Sequence, residues 1–123
     1  MIRHLAEDNL PFWYASDVDI GERGSVFAPF FGIKTATITA PARLAKKTGV
    51  AVLAVGYYRR ENGKGYCINI ATMPENYPTG DAMVDATLLN TLLEKMVRAH
   101  PDQYLWQYKR FKTRPNSEPR FYS

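Results

Sequence analysis

Two groups of residues in this sequence have types and spacing suited to chemistry. The first is the acidic pair Asp17 and Asp19 in "SDVDIGERG", residues 16–24. Carboxylates two residues apart project the same way while extended backbone persists. The pair can therefore orient a cationic group, accept a hydroxyl proton or hold a basic side chain, and a solvated loop or an ion pair with Arg23 is the plainer alternative. The second group is "YKRFKTRP", residues 108–115, in which Lys109, Arg110, Lys112 and Arg114 alternate with Tyr108 and Phe111, shortly after Trp106. Such interleaving suits phosphate contact with stacking on bases, and equally an aromatic anchor with cations at its rim. Other chemistries lack their residues. The two histidines, His4 and His100, have no metal-ligand partner at helical spacing. Ser16 and Ser25 flank the acidic loop without a nearby histidine or a nucleophile elbow. The glycines are spaced as turns, not as a phosphate cradle.

The elements that must position these groups follow from periodicity and punctuation. Ile2, Leu5 and Ala6 have helical spacing over residues 1–9, too short for a stable helix alone, and the start looks like the last turns of a longer one. The aromatic run at 12–16 reads as a short buried strand, which would set Asp17 and Asp19 at its exit, where α/β sheets place ligand-contacting groups. Residues 26–36 are apolar but contain Pro29 and Gly32, and predict an irregular segment. A helix follows, with Thr39 at its N-cap, Pro41 in its first turn, Leu44 and Ala45 facing inward, Lys46 and Lys47 near its end and Gly49 stopping it. The continuous apolar run at 50–58 predicts a strand covered on both faces, of the parallel-sheet kind, with Val52, Leu53 and Val55 inaccessible. A turn through Asn62 and Gly63 joins it to a second strand, "YCINIAT". The longest helix runs over 81–100, capped by Thr79 or Asp81, with Val84, Leu88, Leu92 and either Met96 or Val97 on its apolar face. Helix and strand alternate, so the class is α/β, without internal repeats.

At 123 residues the chain holds one core at most. Its hydrophobic content of 46% excludes a disordered chain. A net charge of +4 favours anionic partners: phosphates, an anionic membrane surface or an acidic carrier protein. The single cysteine, Cys67, reads as a buried strand thiol and cannot form an internal disulfide. No stretch has the length of a membrane span or the pattern of a signal peptide, so membrane contact is expected to be peripheral.

Three blocks bring a resemblance with them: "WYASDVDIGERGSVFAPFFG" at 13–32, "ATITAPARLAKKTGVAVL" at 36–53, and the 77–115 stretch that contains "PDQYLW" and "KRFKTRP". In register from end to end, the chain resembles the C-terminal part of the late acyltransferases of lipid A biosynthesis, the lauroyl/myristoyl transferase family. The resemblance implies a partial, mixed-sheet α/β acyltransferase domain flanked by helices and truncated at its N-terminus, with 1–123 the C-terminal part of one domain and 109–123 a basic tail. It implies transfer of a fatty acyl chain from an acyl carrier protein thioester to a hydroxyl of a lipid A precursor, with no other cofactor. It also implies peripheral contact with an anionic membrane, at the cytoplasmic face of the bacterial inner membrane, or a cytoplasmic location if the anchor is lacking. On this reading Asp17 and Asp19 shape the acceptor side of the site, and Arg110, Lys112 and Arg114 contact lipid phosphates or carrier protein.

The chain departs from the family pattern in places. Ser16 stands where the family usually has proline, Tyr108 where it has histidine, and Ala54 where proline is common. The family's catalytic pair, a histidine with an acidic residue five positions on, is not found: His4 is followed at that spacing by Asn9 and His100 by Leu105. The chain is therefore expected to be inactive alone. A small basic nucleic-acid-binding module, stacking bases on Trp106, Tyr108 and Phe111, and a noncatalytic protein that binds the acyl carrier are the alternatives, although no nucleic-acid partner is expected on the resemblance.

Overall fold

A computed structural model describes residues 10–116 and 118–123. The helical piece expected over 1–9, and His4 within it, lie outside the described residues. Strands β1 (Ser25–Phe30) and β2 (Ile33–Ile38) form one antiparallel pair, helix α1 (Ala40–Thr48) follows, strands β3 (Leu53–Arg59) and β4 (Tyr66–Thr72) form a second antiparallel pair, and helix α2 (Ala82–Ala99) packs chiefly on β1 with lesser contact to β3. The α/β class holds, with the described strands arranged as two two-stranded sheets.

Residues 25–38 are a regular hairpin where an irregular segment was expected. The turn is Phe31-Gly32, with φ of 50° and 74°. Positive φ at both central residues is the two-residue geometry whose twist matches paired strands. Pro29 does not break the ladder because of its register. Phe30 pairs with Ile33 next to the turn, so alternation makes Pro29 opposite Lys34 a non-hydrogen-bonded pair, where a missing N–H removes no ladder bond. A bulky residue rarely adopts φ of 50°, and Phe31 is held there by several contacts. Its N–H donates to Glu94 Oε1 at 2.6 Å, its ring meets those of Phe30 and Trp106 at 4.8 and 5.7 Å, and the Arg98 guanidinium lies 4.8 Å over it.

The aromatic run at 12–16 is loop, not strand, and Phe12 and Trp13 are exposed. An apolar run becomes a strand only where a neighbour offers backbone partners, and among the described residues none pairs with it.

Helix α1 matches its signals with two adjustments. Ala42 and Ala45 are buried, whereas Leu44 is half-buried. Thr39 stands at the N-cap but turns its hydroxyl to Gly24 O at 3.1 Å, pinning the helix start to the loop before β1. Gly49 closes the helix in the left-handed conformation, its N–H donating to Ala45 O.

Helix α2 begins as expected, with Asp81 Oδ1 accepting from the N–H groups of Met83 and Val84 at 2.8 and 3.0 Å. Its inward face is rotated from the apolar stripe in the sequence. Asp85, Ala86, Leu89, Asn90 and Val97 are buried, while Val84 is exposed. The reason is polar. Asp85 receives the Thr79 N–H and hydroxyl at 2.7 and 2.8 Å, tying down the loop before the helix. Asn90, fully buried, donates to Pro29 O and to Thr37 Oγ1 at 3.0 and 2.8 Å. Met96, the other candidate for the inward face, lies against Gly56 of β3.

The 50–58 run is the clearest correction. It forms β3, in the antiparallel hairpin with β4 that the Asn62-Gly63 turn predicts, but not as a parallel-sheet strand covered on both faces: one face is open, Leu53 is 52% exposed, and Ala54 is the buried residue of the strand. Cys67 is half-buried and free.

Candidate functional site

The acidic loop and the basic tail, 89 to 94 residues apart, meet around Asp19. This carboxylate is 2% exposed. Oδ1 accepts from the Gly21 N–H at 2.9 Å and the Thr113 hydroxyl at 2.8 Å, and Oδ2 accepts from the Thr113 N–H at 2.9 Å. The first of these closes a turn in which Gly21 adopts φ of 89°, accessible to glycine without strain. The Tyr108 hydroxyl completes the contact, accepting from the Asp19 N–H at 2.8 Å and donating to Asp19 O at 3.3 Å. Burying a carboxylate is tolerable because hydrogen-bond donors replace its water. Asp17, half-buried on the same loop, does not follow it: with no strand at 12–16, the two side chains have no reason to project together. Asp17 acts through space, its negative charge adding to the burial that pushes the Tyr104 hydroxyl up to about 12.

The tail cations divide into inward and outward sets. Arg110 is 2% exposed; Nη1 donates to Ala36 O at 2.8 Å, Nη2 to Thr37 Oγ1 at 3.4 Å, and the guanidinium lies 5.4 Å over the Phe30 ring. Burial lowers its pKa, while the negative ends of Tyr104, Asp19 and Asp17 work in the opposite direction. Four residues on, Arg114 repeats the pattern. Its Nη1 donates to Lys34 O at 2.6 Å, Nη2 pairs with the Glu118 carboxylate, and the guanidinium lies 4.4 Å over Phe121. Lys34 and Ala36 alternate with the ladder positions of β2, so their carbonyls point out of the hairpin. The two arginines therefore line the free edge of β2 and supply donors that a further strand would otherwise supply.

Thr37 joins this edge to the core. Its hydroxyl donates to Thr35 O at 3.0 Å and accepts from both Asn90 Nδ2 and Arg110 Nη2, which uses its donor and both lone pairs. One side chain thus links the tail, the hairpin and α2.

Of the residues expected to form a site, the structure buries both Asp19 and Arg110, each with its own set of hydrogen-bond partners and the carboxylate acting on the guanidinium only through space, places Arg114 against β2, and leaves Lys112 exposed and Asp17 half-buried. Arg110 and Arg114 are not surface cations, because the edge carbonyls of β2 draw them inward. The aromatic residues are likewise engaged. Phe111 packs 6.0 Å from Phe30, Tyr108 bonds Asp19, and the Trp106 indole N–H donates to Pro101 O at 2.7 Å. Sequence reasoning missed Thr113, Thr37 and Asn90. Asn90 falls outside the apolar stripe expected for α2, and nothing local marks any of the three. His100 stacks on Tyr58 with centroids 3.7 Å apart. No helix among the described residues is long and apolar enough to cross a membrane.

Comparison with known proteins agrees with the resemblance that these blocks carry. Residues 1–113 match the family described as bacterial lipid A biosynthesis acyltransferase. The chain is 40% identical over 111 residues to the lipid A biosynthesis palmitoleoyltransferase of Escherichia coli K12, a match covering 89% of this chain and 36% of that protein. It is 38% identical over 123 residues to the lipid A biosynthesis lauroyltransferase of the same organism, covering 99% of this chain and 40% of the relative. A lipid A biosynthesis acyltransferase of Haemophilus influenzae is 32% identical over 120 residues, with 96% and 38% covered. The chain thus spans about two fifths of the length of these relatives. With the acidic-loop block and the tail block interlocked at Asp19 and the match running through both, the chain belongs to the bacterial lipid A biosynthesis acyltransferase family.

Proposed function

We propose that this chain is the C-terminal scaffold of an acyltransferase that moves a fatty acyl chain from an acyl carrier protein thioester to a hydroxyl of a lipid A precursor. The supporting observation is that two of the resembling blocks, 13–32 and 77–115, lock together through the Asp19 carboxylate and Thr113. In this reading Asp19 sets the shape of the acidic loop, on the acceptor side of the site, through a buried network. Asp17 is the carboxylate of that loop left to meet the acceptor, and Lys112 is the tail cation that meets phosphate or the acidic carrier. Arg110 and Arg114 serve indirectly, holding the tail on β2. The histidine and acid that would deprotonate the acceptor hydroxyl are not present at family spacing, so the chain contributes positioning and not a general base. Its place is at the cytoplasmic face of the inner membrane, as a peripheral contact with anionic lipid.

The test is acyl transfer by the purified chain, with acyl carrier protein thioester and a lipid A precursor. No transfer above buffer is expected. Turnover that disappears when His100 is changed to alanine would overturn the assignment of the chain as a positioning part.

A further inference from the structure

The β3–β4 sheet carries its larger apolar side chains on the side that faces solvent. Register sets Leu53, Val55, Tyr57 and Arg59 on one face with Thr72, Ile70, Ile68 and Tyr66. On that face Tyr57, Tyr66, Ile68, Ile70 and Leu53 are 69, 67, 65, 64 and 52% exposed. The opposite face, which meets α2 through Met96, carries the small residues Ala54, Gly56 and Ala71 beside Asn69 and Cys67, with Tyr58 its one large side chain. A half-buried sheet normally has the reverse polarity, and a contiguous exposed patch of this kind marks an interaction surface.

The backbone points to the same conclusion. Arg59 donates its N–H to Gln103 Oε1 at 2.7 Å and accepts from Gln103 Nε2 at 3.0 Å, so its polar groups face away from β4. Alternation then turns the N–H and C=O of Tyr57, Val55 and Leu53 outward too, as it does those of Ile68 and Ile70 on the other edge. Among the described residues, Arg59 is met by Gln103 and these others have no partner. The β2 edge, lined by Arg110 and Arg114, is the contrast.

We propose that the open face and edge of β3–β4 dock the portion of a lipid A acyltransferase polypeptide that this chain does not span. Its relatives extend well beyond the matched region: the lauroyltransferase is covered over 40% of its length and the palmitoleoyltransferase over 36%. A polypeptide can cover the apolar face and also bond the edge. A bilayer would cover the side chains and leave the edge N–H and C=O groups unmet. The share of the family polypeptide outside this chain favours that occupant over a second copy. The inference rests on family membership and the open sheet, not on acyl transfer, so a failed transfer assay leaves it standing.

The test joins the full chain, co-expressed, with a tagged version of the lauroyltransferase portion that it does not match. Wild-type chain is expected to co-purify in equal amount, and the Tyr57→Lys/Ile68→Lys double variant to be recovered about tenfold less or lower, as for two central interface residues. Both positions are exposed in the isolated chain, so the variant should keep its far-ultraviolet circular dichroism and a cooperative thermal transition, with the facing lysines lowering the midpoint only modestly. Equal recovery of both forms, or of neither, would overturn the proposal. So would concentration-dependent dimerisation lost in the double variant, which would give the face to a second copy, or vesicle co-sedimentation lost in it, which would give the face to lipid.

Discussion

Replacing Asp19 by alanine removes the acceptor of three hydrogen bonds, from the Gly21 N–H, the Thr113 N–H and the Thr113 hydroxyl. A hydrogen bond to a charged group contributes about 1.5–3 kcal/mol net, and a buried donor left without a partner adds its own desolvation penalty. Gly21 is half-exposed and regains water, so its bond counts little. The two Thr113 bonds then give an expected loss of about 3–5 kcal/mol, a large part of the roughly 5–15 kcal/mol typical of a domain. Asp19→Asn is the informative control. An amide oxygen can still accept from the hydroxyl of Thr113, but its NH2 meets the Thr113 N–H, donor against donor, and the expected loss is about 1–3 kcal/mol. Urea titration followed by tryptophan fluorescence and by circular dichroism reads both variants, with coincidence of the two probes checking two-state behaviour. A midpoint for Asp19→Ala within about 0.5 kcal/mol of wild type would refute the reasoning, because a solvated surface carboxylate gives that result.

Charge reversal should separate the tail cations. Lys112→Glu, at an exposed position, is expected to change stability by less than about 0.5 kcal/mol, while Arg110→Glu, with its side chain buried on the β2 edge, abolishes cooperative unfolding; similar melting curves for the two would refute the division. Asn90→Ala leaves Pro29 O and the Thr37 hydroxyl short of a donor and is expected to cost about 2–4 kcal/mol by denaturant titration. Tyr104 and Tyr77 have hydroxyls pushed up to about 12, chiefly by burial. Raised folded-state values mean that their contribution is intact below the ordinary tyrosine value near 10 and is lost as pH climbs from there through about 12. Absorbance titration should show these two hydroxyls ionising above the ordinary tyrosine range, and Tyr104→Phe should flatten the loss of stability above pH 10. Ionisation of both Tyr77 and Tyr104 near the ordinary value would contradict their burial.

What the sequence disclosed depended on whether a signal was local. Helix α1, helix α2 and the β3–β4 hairpin follow from apolar spacing, Asp81, Gly49 and the Asn62-Gly63 turn, all read within a few residues. The β1–β2 hairpin was hidden because Pro29 and Gly32 look like breakers until register shows that one sits at a non-hydrogen-bonded pair and the other inside the turn. The face of α2 was misplaced because Asp85 and Asn90, polar residues outside the apolar stripe, are themselves buried by partners in the preceding loop or far away in sequence. The tail was harder still. A cation cluster looks the same whether it meets phosphate or backbone carbonyls, and only the three-dimensional position of Lys34 O and Ala36 O distinguishes the two for Arg110 and Arg114.

The guarding of β2 by these two arginines also bears on the order in which the protein is made. The hairpin is complete in sequence at Ile38, yet the groups that cover its edge come from Arg110 and Arg114, 74 and 80 residues away from their carbonyl partners. During synthesis, the chain emerges with β2 unguarded until nearly everything after it has also emerged. Contacts of such sequence separation form late, since loop closure precedes any return from the contact. A nascent chain stalled before Arg110 would display an open strand edge, the feature most prone to pair with another copy, so termination ahead of that residue would leave the hairpin open to aggregation.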